Sequence, residues 1–362
     1  MKKNGIVSRI KPKIRNLSIY KVKDADCEAV CMNKNENPYD LPQDIKKEIL
    51  NYALERSWSR YPPIAALELY ENIAEYTGWT PNGVVAGNGS DEMIFSVLTS
   101  FLEPGMKLVV PTPSFPMYSY VASIVGADVI EIPLNSDYTF DCDSLEYAFL
   151  KKGDMLVICS PNNPTGTLFP LDRLKKILEK TDAPVIVDEA YFEFSKITAR
   201  DFLKSHDNLI IFRTFSKAFS MAGLRVGYAL MVPELANEIG KVKIPFNLNF
   251  FSIAAACKVL KSRQIIENVV DEIIKARDAL YEVMKTIKDV TVYPSHANFI
   301  LFRTPYDSNS VFEIILQDGV LVRNLSQNRL LANTLRVTVS TLSDNERFIR
   351  ALKRAMRSGI PV

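Results

Sequence analysis

A lysine, two hydroxyl side chains and an arginine follow one apolar run in the second half of the sequence. The run covers residues 208–212; Thr214, Ser216 and Lys217 come directly after it, and Arg225 stands a little further on. A lysine at the mouth of a buried strand loses hydration, which disfavours its ammonium form and lowers its pKa. Such an amine suits a nucleophile or a Schiff base. The hydroxyls and Arg225 are suited to hold a dianion beside it.

A carboxylate ends a second apolar run. Asp188 follows the run at 185–187, and Tyr191 comes three residues later. An unpaired buried carboxylate is costly, and a pyridinium N–H would supply the partner that Asp188 needs. That pairing keeps the ring protonated as an electron sink. Tyr191 is placed to donate to the phenolic oxygen of such a ring. Taken alone, Asp188 also fits a metal ligand or helix cap, and Tyr191 a core position.

Two further strand-end turns carry residues that suit the same ring. Asn163 lies in the rigid turn 160–166 and offers an amide N–H₂ group to the phenolic oxygen. Phe115, in the turn 113–116, is placed to stack on an aromatic ring. Each has a plain alternative: an ordinary Pro/Gly loop for the first and a core phenylalanine for the second.

A glycine-rich stretch opens a predicted helix at residues 87–92. Its glycines allow close backbone approach, and the free N–H groups at a helix start favour a phosphate. Ser90 is expected to cap this helix, with Asp91 directly after it. Together with Thr214, Ser216 and Arg225, the stretch predicts a phosphate cup. Together, the residues at these strand ends predict that Lys217 carries covalently bound pyridoxal 5′-phosphate.

Two arginines stand in apolar strand-like segments near the C-terminus. Arg336 lies in the run 335–339, and Arg323 follows 319–322. A planar guanidinium suits bidentate capture of a carboxylate or phosphate. A structural salt bridge is the alternative for each. The only histidines are His206 and His296, so His-based hydrolysis and a His-rich metal site are disfavoured.

These residues need a scaffold that brings distant strand ends together. Strands and helices alternate along the chain, and the strands are near-continuous apolar runs, which is typical of a buried parallel sheet with helices on both faces. Ligands of such sheets bind at the carboxyl ends of strands. The sequence therefore predicts a three-layer α/β/α, mostly parallel sheet with a smaller α/β C-terminal domain. The predicted parts are an arm with part of the small domain (1–45), a large cofactor domain (46–250), and a small domain with a linking helix (251–362).

Composition sets outer limits on function. The 362 residues carry a net charge of +2, which favours neither nucleic acid nor an acidic membrane surface. Five cysteines without CxxC spacing indicate reduced thiols rather than disulfides or zinc. The sequence contains neither a membrane-length apolar run nor a signal-peptide pattern, so a cytoplasmic protein is expected.

Four motifs carry a family resemblance over nearly the whole chain. In this order and at these spacings they resemble the pyridoxal-phosphate-dependent aminotransferases of fold type I. The motifs are Asn163-Pro164-Thr165-Gly166, Asp188-Glu189-Ala190-Tyr191, Ser216-Lys217 and Gly223-Leu224-Arg225.

Within that family, further stretches are most similar to the branch that transfers an amino group from L-histidinol phosphate to 2-oxoglutarate, in histidine biosynthesis. They are 16–20, 35–38, 60–62, 87–92, 213–219 and 297–301. The resemblance implies that Tyr20, Asn163, Arg323 and Arg336 bind substrate. It also implies a homodimer in which Tyr61 reaches the cofactor phosphate of the neighbouring subunit.

Three other readings stay open from sequence. An aromatic or general α-amino acid aminotransferase and a threonine-phosphate decarboxylase-like enzyme share the fold and cofactor. A non-catalytic binding protein or regulator of the same fold is the third. It is disfavoured because Lys217, Asp188 and Arg225 are all present and no extra domain is evident.

Overall fold

Thirteen strands are present in the computed structural model, which describes residues 5–19 and 29–358. The strands are β1 (Val30–Cys31), β2 (Val84–Asn88), β3 (Lys107–Thr112), β4 (Asp128–Pro133), β5 (Met155–Cys159), β6 (Val185–Asp188), β7 (Leu209–Thr214), β8 (Val226–Leu230), β9 (Thr291–Val292), β10 (Phe299–Arg303), β11 (Val320–Leu321), β12 (Arg323–Asn324) and β13 (Thr334–Thr338).

Helices separate most of these strands. They are α1 (Pro12–Arg15), α2 (Gln43–Leu54), α3 (Leu67–Thr77), α4 (Ser90–Phe101), α5 (Met117–Val125), α6 (Cys142–Lys152), α7 (Leu171–Leu178), α8 (Phe192–Ser195), α9 (Pro233–Gly240), α10 (Phe250–Lys261), α11 (Arg263–Lys285), α12 (Ser308–Gln317) and α13 (Leu342–Arg357). Within the described ranges, no helix is long and apolar enough to cross a membrane.

Seven strands form the main sheet, in the order β2-β8-β7-β6-β5-β3-β4. Neighbours are parallel except at β8, which runs antiparallel to both β2 and β7. Every residue of β5, β6 and β7 is buried. Strands covered on both faces need apolar side chains at consecutive positions, which explains the unbroken apolar runs of the sequence.

Two apolar clusters cover the two faces of this sheet. Val187 and Ile211 point into one cluster, whereas Ile186 and Ile210 point into the other. This alternation follows from the two-residue period of a strand. The result is three layers, helix on sheet on helix, which confirms the predicted fold class.

A smaller antiparallel sheet lies in the C-terminal part, in the order β12-β13-β10-β9. In it Arg336 of β13 stands opposite both Leu301 of β10 and Arg323 of β12. The N-terminal segment joins this part of the molecule, because β1 pairs in parallel with β11. That pairing places the segment after β1 beside the ends of the large sheet.

The structure differs from the sequence-based expectations at three points. Strand β8 was not expected, since its Gly227 weakens the strand pattern. The linking helix, expected as one, is two helices, α10 and α11, because Ser262 leaves helical geometry (φ −107°, ψ 25°). The residue at the N-cap of α4 is Gly89 rather than Ser90, and its φ of 78° is a conformation that favours glycine.

Candidate active site

A cavity of about 1460 Å³ opens at the carboxyl ends of the parallel strands. It collects most of the residues selected from sequence. Those lining it are Ser90, Asp91, Phe115, Asn163, Asp188, Tyr191, Thr214, Ser216, Lys217, Arg225, Arg323 and Arg336.

Lys217 lies three residues after β7 on the wall of this cavity. Its Nζ donates a hydrogen bond to the backbone carbonyl of Lys34, at 2.9 Å. The side chain is partly accessible from the cavity. Burial, with a further contribution from the nearby cation of Arg336, lowers the pKa of Lys217 to about 8. A larger fraction of this amine is therefore neutral, and nucleophilic, than for an ordinary lysine.

Asp188 ends β6 and is 2% exposed. Its Oδ2 accepts a hydrogen bond from the hydroxyl of Tyr118 at 2.6 Å, and its Oδ1 accepts one from the backbone N–H of Ala190 at 3.0 Å. Burial raises the pKa of Asp188 to about 6, while these two donors oppose the rise. The carboxylate thus faces the cavity in a low-polarity setting, where a cationic N–H partner would bind strongly.

Tyr191 lies on the same wall and is held by the N-terminal segment. The side-chain amide of Asn35 donates to its hydroxyl oxygen at 2.9 Å. Since Asn35 occupies the acceptor side, the Tyr191 O–H remains available to donate. Asn35 is itself fixed, because its backbone N–H donates to Thr338 Oγ1 (3.0 Å) and its carbonyl accepts from Asn298 (3.1 Å).

The predicted phosphate cup forms where α4, β7 and β8 meet. Arg225 Nη1 donates to Ser216 Oγ at 3.3 Å, and Nη2 donates to Asp91 Oδ2 at 3.1 Å. The backbone is packed closely here: a Cβ on Gly227 would stand 2.2 Å from the backbone nitrogen of Ser90. Only glycine allows this approach, which places the N-terminus of α4 beside the guanidinium.

Arg336 spans the two halves of the cavity. Its guanidinium donates to the side-chain oxygen of Asn163 in the large sheet and, at 2.8 Å, to the backbone carbonyl of Asn33. It also lies over the ring of Phe299, 5.1 Å from the centroid. The Asn163 oxygen is thereby engaged, which leaves the N–H₂ group of that side chain to donate. Arg323, its neighbour across β12 and β13, is partly exposed.

Two predicted residues are not part of the described cavity. Tyr61 is 81% exposed and stacks on Phe246, with ring centroids 4.6 Å apart. Tyr20 lies outside the described residues, so its predicted contact with substrate stays a prediction.

Three residues at the site were missed as contact-makers by the sequence reasoning. Tyr118 holds Asp188, Asn35 holds Tyr191, and the carbonyl of Lys34 holds Lys217. Tyr118 lies three residues after Phe115, so a helical turn after a strand end was an available signal. The other two lie far from their partners in sequence, and no local pattern indicates the contact.

The residues present fit pyridoxal phosphate. A buried carboxylate suits a ring N–H, a low-pKa amine suits an aldehyde, and a glycine-packed helix start with Arg225 suits a phosphate. Phe115 stands edge-on to Tyr118 at 5.7 Å and is partly accessible from the cavity, as a stacking residue must be. Each chemical group of the cofactor has a matching partner in one cavity.

Comparison with known proteins defines the class. Residues 28–352 match the family described as aminotransferase class I and II. The histidinol-phosphate aminotransferase of Caldanaerobacter subterraneus subsp. tengcongensis is 40% identical over 326 residues, which is 90% of this chain and 92% of that protein. The crystal structure of the histidinol-phosphate aminotransferase from Clostridium acetobutylicum is 26% identical, with a TM-score of 0.84 over 91% of this chain and 99% of that one.

A third comparison bears on the fold. The histidinol-phosphate aminotransferase from Sinorhizobium meliloti, solved in complex with pyridoxal-5′-phosphate, has a TM-score of 0.85 at 22% identity, covering 97% of this chain and 98% of that one. The chain belongs to the aminotransferase class I and II family. It is a pyridoxal-phosphate-dependent transaminase, as the sequence analysis expected.

Proposed function

We propose that this enzyme transfers the amino group of L-histidinol phosphate to 2-oxoglutarate, giving imidazole acetol phosphate and L-glutamate. The observation that carries the proposal is one cavity that joins a transaminase centre to two arginines, Arg323 and Arg336. Both half-reactions bring an anion to this cavity, a phosphate in one and carboxylates in the other. Relatives named histidinol-phosphate aminotransferase, at 36% and 40% identity, support it.

Lys217 is proposed as the acid–base group. Bound pyridoxal phosphate supplies the electron sink for the carbanion that forms at the substrate Cα. The Lys217 amine would take the proton from the substrate Cα and deliver it to C4′ of the bound cofactor, and its pKa of about 8 suits proton transfer near neutral pH. Because the keto product of the donor would leave before the acceptor binds, ping-pong kinetics are expected.

Four side chains are proposed to hold the cofactor ring. The Asp188 carboxylate accepts from the ring nitrogen N–H, and the Tyr191 hydroxyl and the Asn163 amide donate to the phenolic oxygen. Phe115 stacks on the ring. Ser90, Thr214, Ser216 and Arg225 hold the phosphate. Asp91 contributes its backbone N–H at the start of α4, while its carboxylate orients Arg225.

Arg323 and Tyr20 are proposed to favour the phosphate end of the donor, while Arg336 serves whichever anion is present. Arg336 is 7% exposed and braced by Asn163 and Asn33, whereas Arg323 is more open. A braced fork suits a single anion position that either the phosphate of the donor or a carboxylate of the acceptor can occupy. The more open Arg323 suits the phosphate, which only the donor carries.

A homodimer is proposed because the Tyr61 side chain is exposed on the surface of its own chain. Its ring and that of Phe246 form an exposed aromatic pair outside the cavity of their own chain. Exposed aromatic clusters favour burial against a partner, and the proposed partner is a second copy whose cofactor phosphate Tyr61 contacts. We also propose a cytoplasmic location and keep the division into 1–45, 46–250 and 251–362 as a proposal.

A coupled assay of glutamate formation from 2-oxoglutarate tests the activity. Histidinol phosphate, phenylalanine and threonine phosphate are offered as separate donors. The proposal expects the highest kcat/KM with histidinol phosphate. If phenylalanine alone is turned over, the enzyme is a general aminotransferase instead. If carbon dioxide is released from threonine phosphate, the enzyme is a decarboxylase.

A further inference from the structure

A buried ion pair lies directly behind the cofactor-binding strand ends. Glu189 follows Asp188 in the chain, and Arg213 precedes Thr214. Along β6 and β7, side chains alternate between the two apolar clusters. Asp188 and Thr214 therefore face the cavity, while Glu189 and Arg213 point to the opposite side of the sheet.

The pair is closed to water, and two hydrogen bonds join the Arg213 guanidinium to a single oxygen of the Glu189 carboxylate. Arg213 Nε and Nη2 donate to Glu189 Oε2 at 3.0 and 2.8 Å, and each side chain is 2% exposed. Of the ion pairs among the described residues, no other has both side chains this deeply buried. The Arg213 guanidinium also lies over the Phe192 ring, 3.7 Å from the centroid.

Glu189 also closes the loop that carries Tyr191. Its Oε2 accepts from the Thr198 hydroxyl at 2.9 Å, and its Oε1 accepts from the backbone N–H of Ala199 at 2.6 Å. Arg213 Nη2 donates to the same Thr198 hydroxyl at 2.8 Å. The chain from Asp188 to Ala199 is thus folded back on one carboxylate.

One guanidinium faces two carboxyl groups in this region. Glu193, 8% exposed, accepts from the Tyr76 hydroxyl at 3.3 Å, and its second oxygen has no hydrogen-bond partner within the described residues. Burial raises the pKa of Glu193 to about 7, although Arg213 opposes the rise. Most of the hydrogen bonds that Arg213 donates go to Glu189. Replacing either residue would therefore leave the other as an unpaired buried charge.

We propose that Glu189 and Arg213 are positioning residues, which fix the strand ends so that Asp188, Tyr191 and Thr214 meet the cofactor together. Neither side chain touches the cavity. They act through the peptide bonds that join them to the cofactor-facing residues and through the loop that Glu189 closes. The proposal concerns cofactor binding and holds whichever amino donor the enzyme uses.

The charges of the pair also act on Asp188 through space. The carboxylate of Glu189 raises the pKa of Asp188, and the Arg213 cation neutralises that carboxylate. Removing Arg213 leaves an uncompensated anion behind Asp188, whereas removing the Glu189 charge leaves a cation. The two substitutions should therefore shift the protonation of Asp188 in opposite directions.

Titration of pyridoxal phosphate into the apoenzyme, followed by protein fluorescence, tests the proposal. The variants are Glu189→Gln, Arg213→Met and the double variant. Ile177→Ala is the matched control, because Ile177 is a fully buried residue of α7 with no polar link to the strand ends. Thermal midpoints are measured on every apoprotein.

Both single variants are expected to weaken cofactor binding at least tenfold, whereas Ile177→Ala lowers the thermal midpoint and leaves the dissociation constant within twofold. The acid limb of the binding-against-pH curve should move to higher pH in Arg213→Met and to lower pH in Glu189→Gln. The double variant is expected to regain part of the thermal stability, since it leaves no unpaired buried charge, without regaining affinity.

Dissociation constants that simply follow the thermal midpoints, control included, would overturn the proposal. So would acid limbs that move together, or a double variant with native affinity. If Arg213→Met does not fold, Arg213→Lys replaces it: the cation is kept and the fork is lost, so weaker binding with an unmoved acid limb is expected, and native affinity would overturn the proposal. None of these results depends on the amino donor.

Discussion

The cofactor end and the substrate end of this cavity are built differently. At the cofactor end, Asp188, Tyr191 and Thr214 are at most 3% exposed and each has defined hydrogen-bond partners. At the substrate end, Arg323 is partly exposed and residues 327–329 of the cavity rim are exposed. The contrast indicates that the residues proposed to hold the cofactor ring form a preformed frame, while Arg323, which is proposed to bind the donor phosphate, lies at an open, polar rim. A loop can change at such a rim without disturbing the strand ends.

Replacement of Lys217 should break the chemistry and spare the frame. Lys217→Ala is expected to lower kcat by about 10³–10⁴-fold or more, since the acid–base group and the covalent link are both lost. Pyridoxal phosphate should still bind, because the ring and phosphate partners remain. Single-turnover kinetics and cofactor titration measure the two effects. A variant that keeps a tenth of the native kcat would contradict the role.

The pH dependence of the unfolding free energy should reveal the buried carboxyl group of Glu193, which lies behind the cofactor end. The pKa of Glu193 is raised from 4.5 to about 7, so the folded chain holds this proton more tightly than the unfolded chain. The unfolding free energy should therefore fall as pH rises through that window, by roughly 3 kcal/mol for a shift of this size. Glu193→Gln should raise the thermal midpoint at pH 8 and change it little at pH 4.5.

Glu146 provides the control of opposite sign. Its pKa is lowered, chiefly by a hydrogen bond from Lys180, so its stabilising effect is present at neutral pH and is lost in acid. Glu146→Gln should lower the thermal midpoint at pH 8. Equal responses of the two variants would show that the sign assigned to Glu193 is wrong.

At the substrate end, replacement of Arg323 and replacement of Arg336 should affect kcat/KM for the two substrates differently. Arg323→Ala is expected to reduce kcat/KM for histidinol phosphate by about 10–100-fold, as for the loss of a charge-assisted hydrogen bond, and to affect glutamate less. Arg336→Ala should reduce both. Equal losses for both substrates in Arg323→Ala would contradict the assignment of this arginine to the phosphate.

The smallest effect is expected at Tyr118. Its hydroxyl stabilises the Asp188 carboxylate, so Tyr118→Phe should raise the pKa of Asp188 above its present value of about 6. Cofactor affinity should then weaken about tenfold at pH 6 and less at pH 8. A titration of the apoenzyme at both pH values checks this. Identical affinity at pH 6 would show that the hydrogen bond does not tune the carboxylate.

Sequence could predict, for a physical reason, that the side chains of the cofactor end lie together at one edge of the sheet. Asp188 and Lys217 follow unbroken apolar runs, and parallel strands carry their carboxyl ends to one edge. Any polar residue directly after such a run must lie at that edge. The runs themselves, fully buried in β5, β6 and β7, therefore locate the cavity.

The contacts that hold this end could not be predicted in the same way. Asn35 meets Tyr191, and Lys34 meets Lys217, only because β1 pairs with the distant β11. The break between α10 and α11 at Ser262 and the strand β8 also depend on tertiary packing rather than on local pattern. The periodicity of a sequence shows which face of a helix or strand is buried. It does not show which distant helices and strands contact each other, and these contacts depend on that.

Lys217 is proposed to bind the cofactor covalently. Lys34 is the alternative lysine, because it also lines the cavity. The purified enzyme is reduced with borohydride, digested and mapped by mass spectrometry. The account predicts a pyridoxyl group on the peptide that contains Lys217 and none on the peptide that contains Lys34. Label on Lys34, on any other lysine, or on none would contradict it.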